Sequence, residues 1–448
     1  MKYRALSTFI FLLSATALSA QSGQMNLRQC VETAVENNLQ ILQGEVNVAA
    51  NQFGVKQSKL ALLPNLNLNT NYFFSYGRGL DYVTNIYVAQ SFQSNNYSLS
   101  SNLGVYQGGL KTNQIKKAAY DLQVAELDQE ALVENIQLNT ILAFLQVMFA
   151  EDQIAINQNR IDISRRQLED SKKLFEAGSI PEGNLLNLQA QIATDELELV
   201  NAQNQVASAY LALKNLLQME PSEELSIVYP AQDLLQEVLN APVPTLNEVI
   251  DAAIRNLPGI QRFDYLLMSA ESDRKIAGSY GLPSLTLVGQ LNTSYSDAEI
   301  GIPGFEVDPY GQQLENNLGE VVGLTLSLPI FNNGSVAFNK QNAELGVFNA
   351  EMQQKIAIND LKTTVTEAWT GLQSTAISYQ AAQRSLEANK LAFEFAEKRF
   401  NAGAASPLEY TTAANNLATA EVSMNQAKFN YIFQRKVIDY YLGKPIEF

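Results

Sequence analysis

The sequence predicts a mostly α-helical chain that also carries the strands of a membrane β-barrel, written as two tandem structural repeats. Three observations predict it: the chain matches itself over nearly its whole length, each copy holds two stretches with a side-chain period of two, and each copy holds long runs without helix breakers. Leu27, Ala34, Asn37, Ile41, Leu63 and Pro64 recur 219 positions later as Leu246, Ala253, Asn256, Ile260, Leu282 and Pro283. Further on the offset becomes 225, carrying Gly109, Ala118, Phe175, Ala177, Gly178 and Leu217 onto Gly334, Ala343, Phe400, Ala402, Gly403 and Leu442. The six extra residues enter polar stretches with Gly and Pro, Gly77 to Asn95 in one copy and Ser296 to Asn317 in the other, which read as loops.

Taken in order, residues 1–20 read as a signal peptide: Lys2 and Arg4, an apolar stretch from Phe9 to Leu13, then small residues up to Ala20. The first repeat covers 21–219, a connecting segment 220–245, the second repeat 246–442 and a tail 443–448. Removing Lys2 and Arg4 leaves 28 basic against 46 acidic residues, a net charge of −18 that argues against nucleic acid as a partner. The only cysteine, Cys30, reads as a small core residue on a helix, so neither a disulfide nor a lipid anchor is expected. There is no histidine, no phosphate-cradling glycine loop and no Cys/His cluster. No catalytic residue, cofactor or metal is therefore assigned.

Each repeat opens on a helix, about 27–62 and 246–281, which Pro64 and Pro283 stop by lacking an amide hydrogen and restricting the residue before them. Strands are expected at 65–76 and 97–106, then at 284–295 and 321–331. In the first, Leu66, Leu68, Thr70 and Tyr72 alternate with Asn65, Asn67, Asn69 and Asn71, giving one apolar and one polar face. Lengths near ten residues suit a tilted crossing of a bilayer. Aromatics near the strand ends, such as Tyr72, Phe74, Tyr295 and Phe331, suit an interfacial girdle, although aromatics favour strands generally.

Long helices follow, 110–177 and 335–402, then helices 184–219 and 408–442. The run from Leu110 to Ala177 has neither Gly nor Pro. As one helix it would span roughly 100 Å. Leu185, Leu188, Ile192, Asp195, Leu199, Ala202, Val206, Ala209, Leu213 and Leu216 follow at steps of three and four, apolar but for one Asp. Tyr410, Ala413, Leu417, Ala420, Met424, Ala427, Tyr431, Gln434, Ile438 and Tyr441 form the matching seam. A sustained 3.5-residue period implies antiparallel coiled-coil packing, and flanks rich in Gln and Asn imply helices wet on both sides of a narrow stripe.

The junctions carry the last signal. Leu103-Gly-Val-Tyr-Gln-Gly-Gly109 and Leu328-Pro-Ile-Phe-Asn-Asn-Gly334 lead from strand to helix, while Leu174-Phe-Glu-Ala-Gly-Ser179 and Arg399-Phe-Asn-Ala-Gly-Ala404 turn helix into helix. With the ending Tyr440 to Phe448, these motifs, each weak alone and all in doubled order, make residues 25 to 448 resemble the TolC-like outer-membrane efflux family. The resemblance implies an outer-membrane channel, an exit duct of a tripartite efflux pump. It also implies a homotrimer whose twelve strands form one barrel above a periplasmic α-helical tunnel. Physics supports that number: four strands cannot close, unpaired edges are not tolerated in lipid, eight strands would be filled by side chains, and twelve can hold water.

The implied partners are a periplasmic adaptor (membrane fusion) protein, an inner-membrane transporter and outer-membrane lipid. By the same resemblance the tips, with Phe175, Gly178, Leu185, Phe400, Gly403 and Leu408, would dock the adaptor, and Asn184, Glu409 and Thr412 would line the periplasmic aperture. Gly178 and Gly403 are equally readable as helix C-caps, and Glu409 as a first-turn acid complementing the helix dipole. The neutral Asn184 and Thr412 depart from an acidic entrance ring. The exit duct of a type I protein secretion system shares this design. A non-channel trimeric coiled-coil structural protein of the envelope would share the signal, heptads and acidity, but not four strands placed alike in two repeats.

Overall fold

A computed structural model describes residues 23–80, 87–297 and 307–444; the predicted signal peptide and the tail from 445, with Phe448, lie outside them. The elements run β1 (Gln24–Met25), α1 (Leu27–Asn37), α2 (Leu39–Leu60), β2 (Asn67–Leu80), β3 (Tyr87–Gln107), α3 (Leu110–Glu176) and α4 (Glu182–Leu216). After them come β4 (Ser226–Ile227), α5 (Gln232–Asn240), α6 (Leu246–Asn256), α7 (Pro258–Ser279), β5 (Ser284–Ser296), α8 (Tyr310–Asn316), β6 (Gly319–Ser327), α9 (Ser335–Asn401) and α10 (Pro407–Tyr441). Two compact units result among the described residues: one holds 23–42, 132–253 and 363–444, the other those within 43–131 and 254–362. Neither unit is a repeat, because each takes equivalent pieces from both copies.

The second unit is built around an antiparallel sheet in the order β2-β3-β5-β6. Its register puts Leu68 opposite Leu99, Leu99 opposite Leu291, Leu103 opposite Leu287 and Leu287 opposite Leu324. Residues opposite one another share a face, so these leucines lie together with Tyr72, Phe74, Leu285, Val322 and Leu326. The face is apolar and open: Leu68 is 68% exposed, Val322 83% and Leu324 65%. The other face carries Asn67, Asn69, Asn71, Asn96, Ser98, Ser100, Gln290 and Asn292, with Gln290 Nε2 donating to Asn292 Oδ1 at 2.6 Å. Among the described residues neither β2 nor β6 has a partner strand on its outer side.

The predicted strand bounds need correction. β2 continues to Leu80 and β3 begins at Tyr87, through the stretch read as a loop. The ladder needs only backbone groups: Gly77, Arg78 and Gly79 pair with Gln90, Ala89 and Val88 without an alternating side-chain pattern to reveal them. β6 stops at Ser327, short of the expected 331, because Pro329 has no amide hydrogen to continue the ladder. The Ser296–Asn317 stretch, read as a loop, holds α8, anchored where Gln313 Nε2 donates to the Ser296 carbonyl at 2.9 Å.

The opening helix of each repeat is broken at an equivalent place. In the first, Asn38 caps α1, and its Oδ1 accepts the Gln40 amide at 2.9 Å, taking an amide that a continuous helix would bond elsewhere. In the second, Pro258 stands at the first position of α7 and forces Leu257 out of the helical region.

In the first unit the core gathers on the middle of α3, where Ile141, Phe144, Leu145, Val147 and Met148 are fully buried, and on α10 with Phe429, Ile432 and Ile438. α3 is also the one described helix long and apolar enough, by length and composition alone, to cross a membrane, and its most apolar stretch is only partly buried. The α4 seam is as expected, with Leu188, Asp195, Ala202, Ala209 and Leu213 buried. α10 departs from the narrow stripe: Ala418, Asn425, Phe429, Ile432, Arg435 and Lys436 are buried as well, so it is packed on a wider arc.

The connecting segment holds α5 and β4, which pairs in parallel with β1. Trp369 Nε1 donates to the Pro244 carbonyl at 2.8 Å and Arg435 Nη1 to that of Pro242 at 2.6 Å, pinning its end. Cys30 is fully buried on α1, and burial pushes its thiol pKa up to about 12. The thiolate is the reactive form. Native protein at pH 8 should therefore take up no maleimide while urea-unfolded protein labels fully, and fast native labelling would show that α1 opens.

Candidate functional site

The helix-to-helix tips of the first unit are built alike at their closing ends. Gly178, at φ +68°, donates to the Phe175 carbonyl at 2.8 Å, and the Ser179 amide to that of Leu174 at 2.8 Å. Gly403, at φ +70°, does the same toward Phe400 at 2.9 Å, and Ala404 toward Arg399 at 2.8 Å. This pair of bonds satisfies two carbonyls that a helix end leaves orphaned, and it needs a left-handed residue. A Cβ at either glycine would meet no atom within 4 Å, so only the backbone angle demands glycine. Gly178→Ala or Gly403→Ala should then cost about 1–2 kcal/mol, read as a lowered thermal midpoint in far-ultraviolet circular dichroism.

Past the glycine the two tips differ. α4 begins after Pro181 with no side-chain cap, whereas Ser406 Oγ accepts the Glu409 amide at 3.2 Å at the start of α10. Arg399 Nη1 donates to Glu409 Oε1, and its Nη2 to the Ala404 carbonyl at 3.1 Å, so one guanidinium spans the second turn. Glu409 thus carries an ion-pair partner within its own hairpin. Tyr410 is buried between Phe393 and Phe400, with ring centroids at 5.4 and 5.1 Å. Burial, then the nearby Glu397 carboxylate, holds its hydroxyl above the usual range.

The predicted tip residues therefore divide. Phe175, 39% exposed, and Leu408, 76% exposed, face outward, while Phe400 is half-buried against Tyr410. Leu185 is half-buried, and its neighbour Leu186 is the outward residue at 57%. Asn184 is half-buried, its amide donating to the Pro181 carbonyl at 3.1 Å. Thr412 is exposed, its hydroxyl bonded back to the Leu408 carbonyl at 2.8 Å. The two hairpins meet where Gln167 Nε2 donates to Thr411 Oγ1.

Behind the tips lies a polar cluster the sequence showed only as the seam's one break. The Asp195 carboxylate, with no exposed surface, accepts Ser164 Oγ and Gln191 Nε2, each at 2.7 Å. Arg160 Nε stands 2.8 Å from its Oδ1 as an ion pair, without the alignment of a hydrogen bond. Among the described residues no His/Cys/Asp/Glu group is arranged to hold a metal.

Comparison with known proteins agrees with this architecture. The family model described as outer membrane efflux protein matches twice, over residues 30–217 and 249–443, once in each repeat. The outer membrane protein TolC of Escherichia coli is 24% identical over 440 residues, covering 96% of this chain and 85% of that protein. The alkaline protease secretion protein AprF of Pseudomonas aeruginosa is 20% identical over 450 residues, covering 99% of this chain and 89% of its own. Among solved structures, the outer membrane protein VceC of Vibrio cholerae superposes with a TM-score of 0.77 at 15% identity, over 94% of this chain and 97% of that one.

Proposed function

The chain belongs to the outer membrane efflux protein family, a family of outer-membrane channels and not of enzymes, and from that we propose that it is the passive exit duct of a tripartite pump exporting small molecules. One observation carries the reading: the sheet presents an open apolar face, a polar face behind it and two unpaired edges. An apolar face in water costs free energy, and unpaired edges in lipid cost several kcal/mol per group. Three copies, joining β6 of one to β2 of the next, remove both costs and put the Asn- and Ser-rich face on a water-filled lumen. The homotrimer and its twelve-stranded barrel belong to this proposal.

In the same reading the tips belong to the periplasmic part of the duct. Their outward side chains, Phe175, Leu186 and Leu408, with the caps at Gly178 and Gly403, form the surface for a periplasmic adaptor that links an inner-membrane transporter. Phe400 and Leu185 shape that surface from beneath. Asn184, Glu409 and Thr412 lie around the aperture, and because Arg399 already holds Glu409, the entrance is not a ring of free acid. Glu409→Gln should accordingly leave cation preference in planar bilayers nearly unchanged, and a large loss of it would place an uncompensated carboxylate in the pore.

The likeness to a protein named for protease secretion supports a second reading, the exit duct of a type I secretion system, with the same subunit design. Purified protein reconstituted in planar bilayers tests the channel: we expect discrete conductance steps and crosslinking to a trimer. A monomer without conductance would overturn the proposal, and the pump that co-purifies after mild crosslinking separates the two cargo readings.

A further inference from the structure

We infer that the chain holds an anionic phospholipid headgroup at the foot of its sheet, in a cleft of about 490 Å³ whose lining includes three bases, Arg274, Lys275 and Lys340, one acid, Glu344, and Ser279 and Leu282. The inference rests on the barrel reading above, which makes this foot the periplasmic leaflet of the outer membrane. Charge is the first observation. Counting the eleven helical residues nearest the sheet on α2, α3, α7 and α9, there are eight bases, Lys56, Lys59, Lys111, Lys116, Lys117, Arg274, Lys275 and Lys340, against three acids, Glu271, Asp273 and Glu344. The chain as a whole is at −16, so the sign is reversed in one narrow band.

Helix electrostatics do not account for the band. The helix dipole favours Lys59 in the last turn of α2 and opposes Lys111 in the first turn of α3, while Lys116, Lys117, Arg274, Lys275 and Lys340 stand beyond the terminal turns, where the dipole has faded. α3 has no acid in its first turn to offset Lys111. Cations gathered where no dipole favours them do have one common beneficiary, an oxyanion. Arg274 and Lys275 are exposed and form no ion pair with any described residue, while Lys340 reaches Glu344 only at 4.0 Å. Lys117 is excluded from the site, because Asp273 at 2.9 Å and Asp121 at 3.5 Å already hold it.

The surroundings select a lipid over a soluble phosphate. Leu282 lines the cleft and is 46% exposed; Phe338, one turn into α9, is 65% exposed, and Ile330 and Phe331, between β6 and α9, are 92% and 83% exposed. A cationic cleft flanked along the chain by this open apolar collar matches a molecule with a phosphate at one end and acyl chains at the other. The approach is set by backbone: Gly108, at φ +59°, lies where a Cβ would come 2.6 Å from Leu282 Cβ, and its carbonyl accepts Ser279 Oγ at 2.9 Å. That contact fixes the end of α7 against the start of α3 and holds the cleft open between them.

The test uses full-length protein in mixed nanodiscs of phosphatidylglycerol and phosphatidylcholine, with retained lipid counted by native mass spectrometry after release into detergent. Wild type should retain phosphatidylglycerol with a roughly tenfold preference, and the R274Q/K275Q/K340Q triple variant should lose most of that preference. All three substitutions are at exposed positions, and unchanged circular dichroism and conductance establish that the variant is folded. Equal preference in variant and wild type overturns the inference while leaving the channel intact. Loss of the bound lipid to an equal concentration of glycerol phosphate overturns it too, since the collar would then contribute nothing. A wild type that neither enters the bilayer nor conducts fails at the earlier step, the channel proposal itself.

Discussion

Leu324→Arg should nearly abolish assembled channel in the outer membrane, whereas Thr325→Arg, one residue along the same strand, should assemble and change only ion preference. Leu324 stands near the middle of β6, opposite Leu287 on the apolar face and 65% exposed. Thr325 is paired with Thr286 on the polar face. An arginine facing lipid near the midplane costs about 2–4 kcal/mol. A trimer would incur that cost three times, enough to exceed the whole stability of many domains. The lumen substitution meets water instead, and its three guanidiniums should shift the pore from cation toward anion preference. Heat-resistant trimer on denaturing gels and single-channel recordings read the two outcomes. Equal behaviour of the two variants would falsify the assignment of these faces to lipid and water.

The fold's outline was legible because the sequence repeats it. The strands at Asn65–Tyr76 and Ser284–Tyr295 showed through their alternation, and the tips through Gly178 and Gly403, whose positive φ no other residue adopts so cheaply. Pro258 signals a helix start, yet the expected helix over 246–281 runs straight through it, so this break is a correction. Asn38 gives no such signal, since an Asn amid Gln and Glu looks like a wet helix surface until its side chain is seen holding the Gln40 amide. α8 and the hairpin ends of β2 and β3 were hidden because they are formed mainly by backbone hydrogen bonds, in stretches whose sequence follows no period of two. The division into two units was beyond reach, since each combines segments from both repeats. In the site, the outward Phe175 and Leu408 were named from their place at the tips. The Arg399–Glu409 pair was not, because ten residues of separation bring two side chains together only once the turn between them is closed.

Asp195 offers the second large effect, and its value lies in a pair of variants. Alone, Asp195→Leu should lower stability by about 2–3 kcal/mol, below the 3–5 typical when one member of a buried pair is removed, because Arg160 keeps a quarter of its side chain in water and can turn outward. Ser164 and Gln191 would also lose their acceptor, leaving buried donors unmatched. Arg160→Leu alone should hurt for the complementary reason, stranding a carboxylate with no exposed surface. If the cost is electrostatic, the double variant Asp195→Leu with Arg160→Leu should recover much of it, since an apolar pair of fitting size is often as stable as the ion pair it replaces. If the sites are independent, the two losses should add. Thermal unfolding of the helical signal separates these outcomes. Recovery would mean that the seam keeps Asp195 for register between α3 and α4 more than for stability, because an apolar residue there would let the two helices slide by a heptad at little cost.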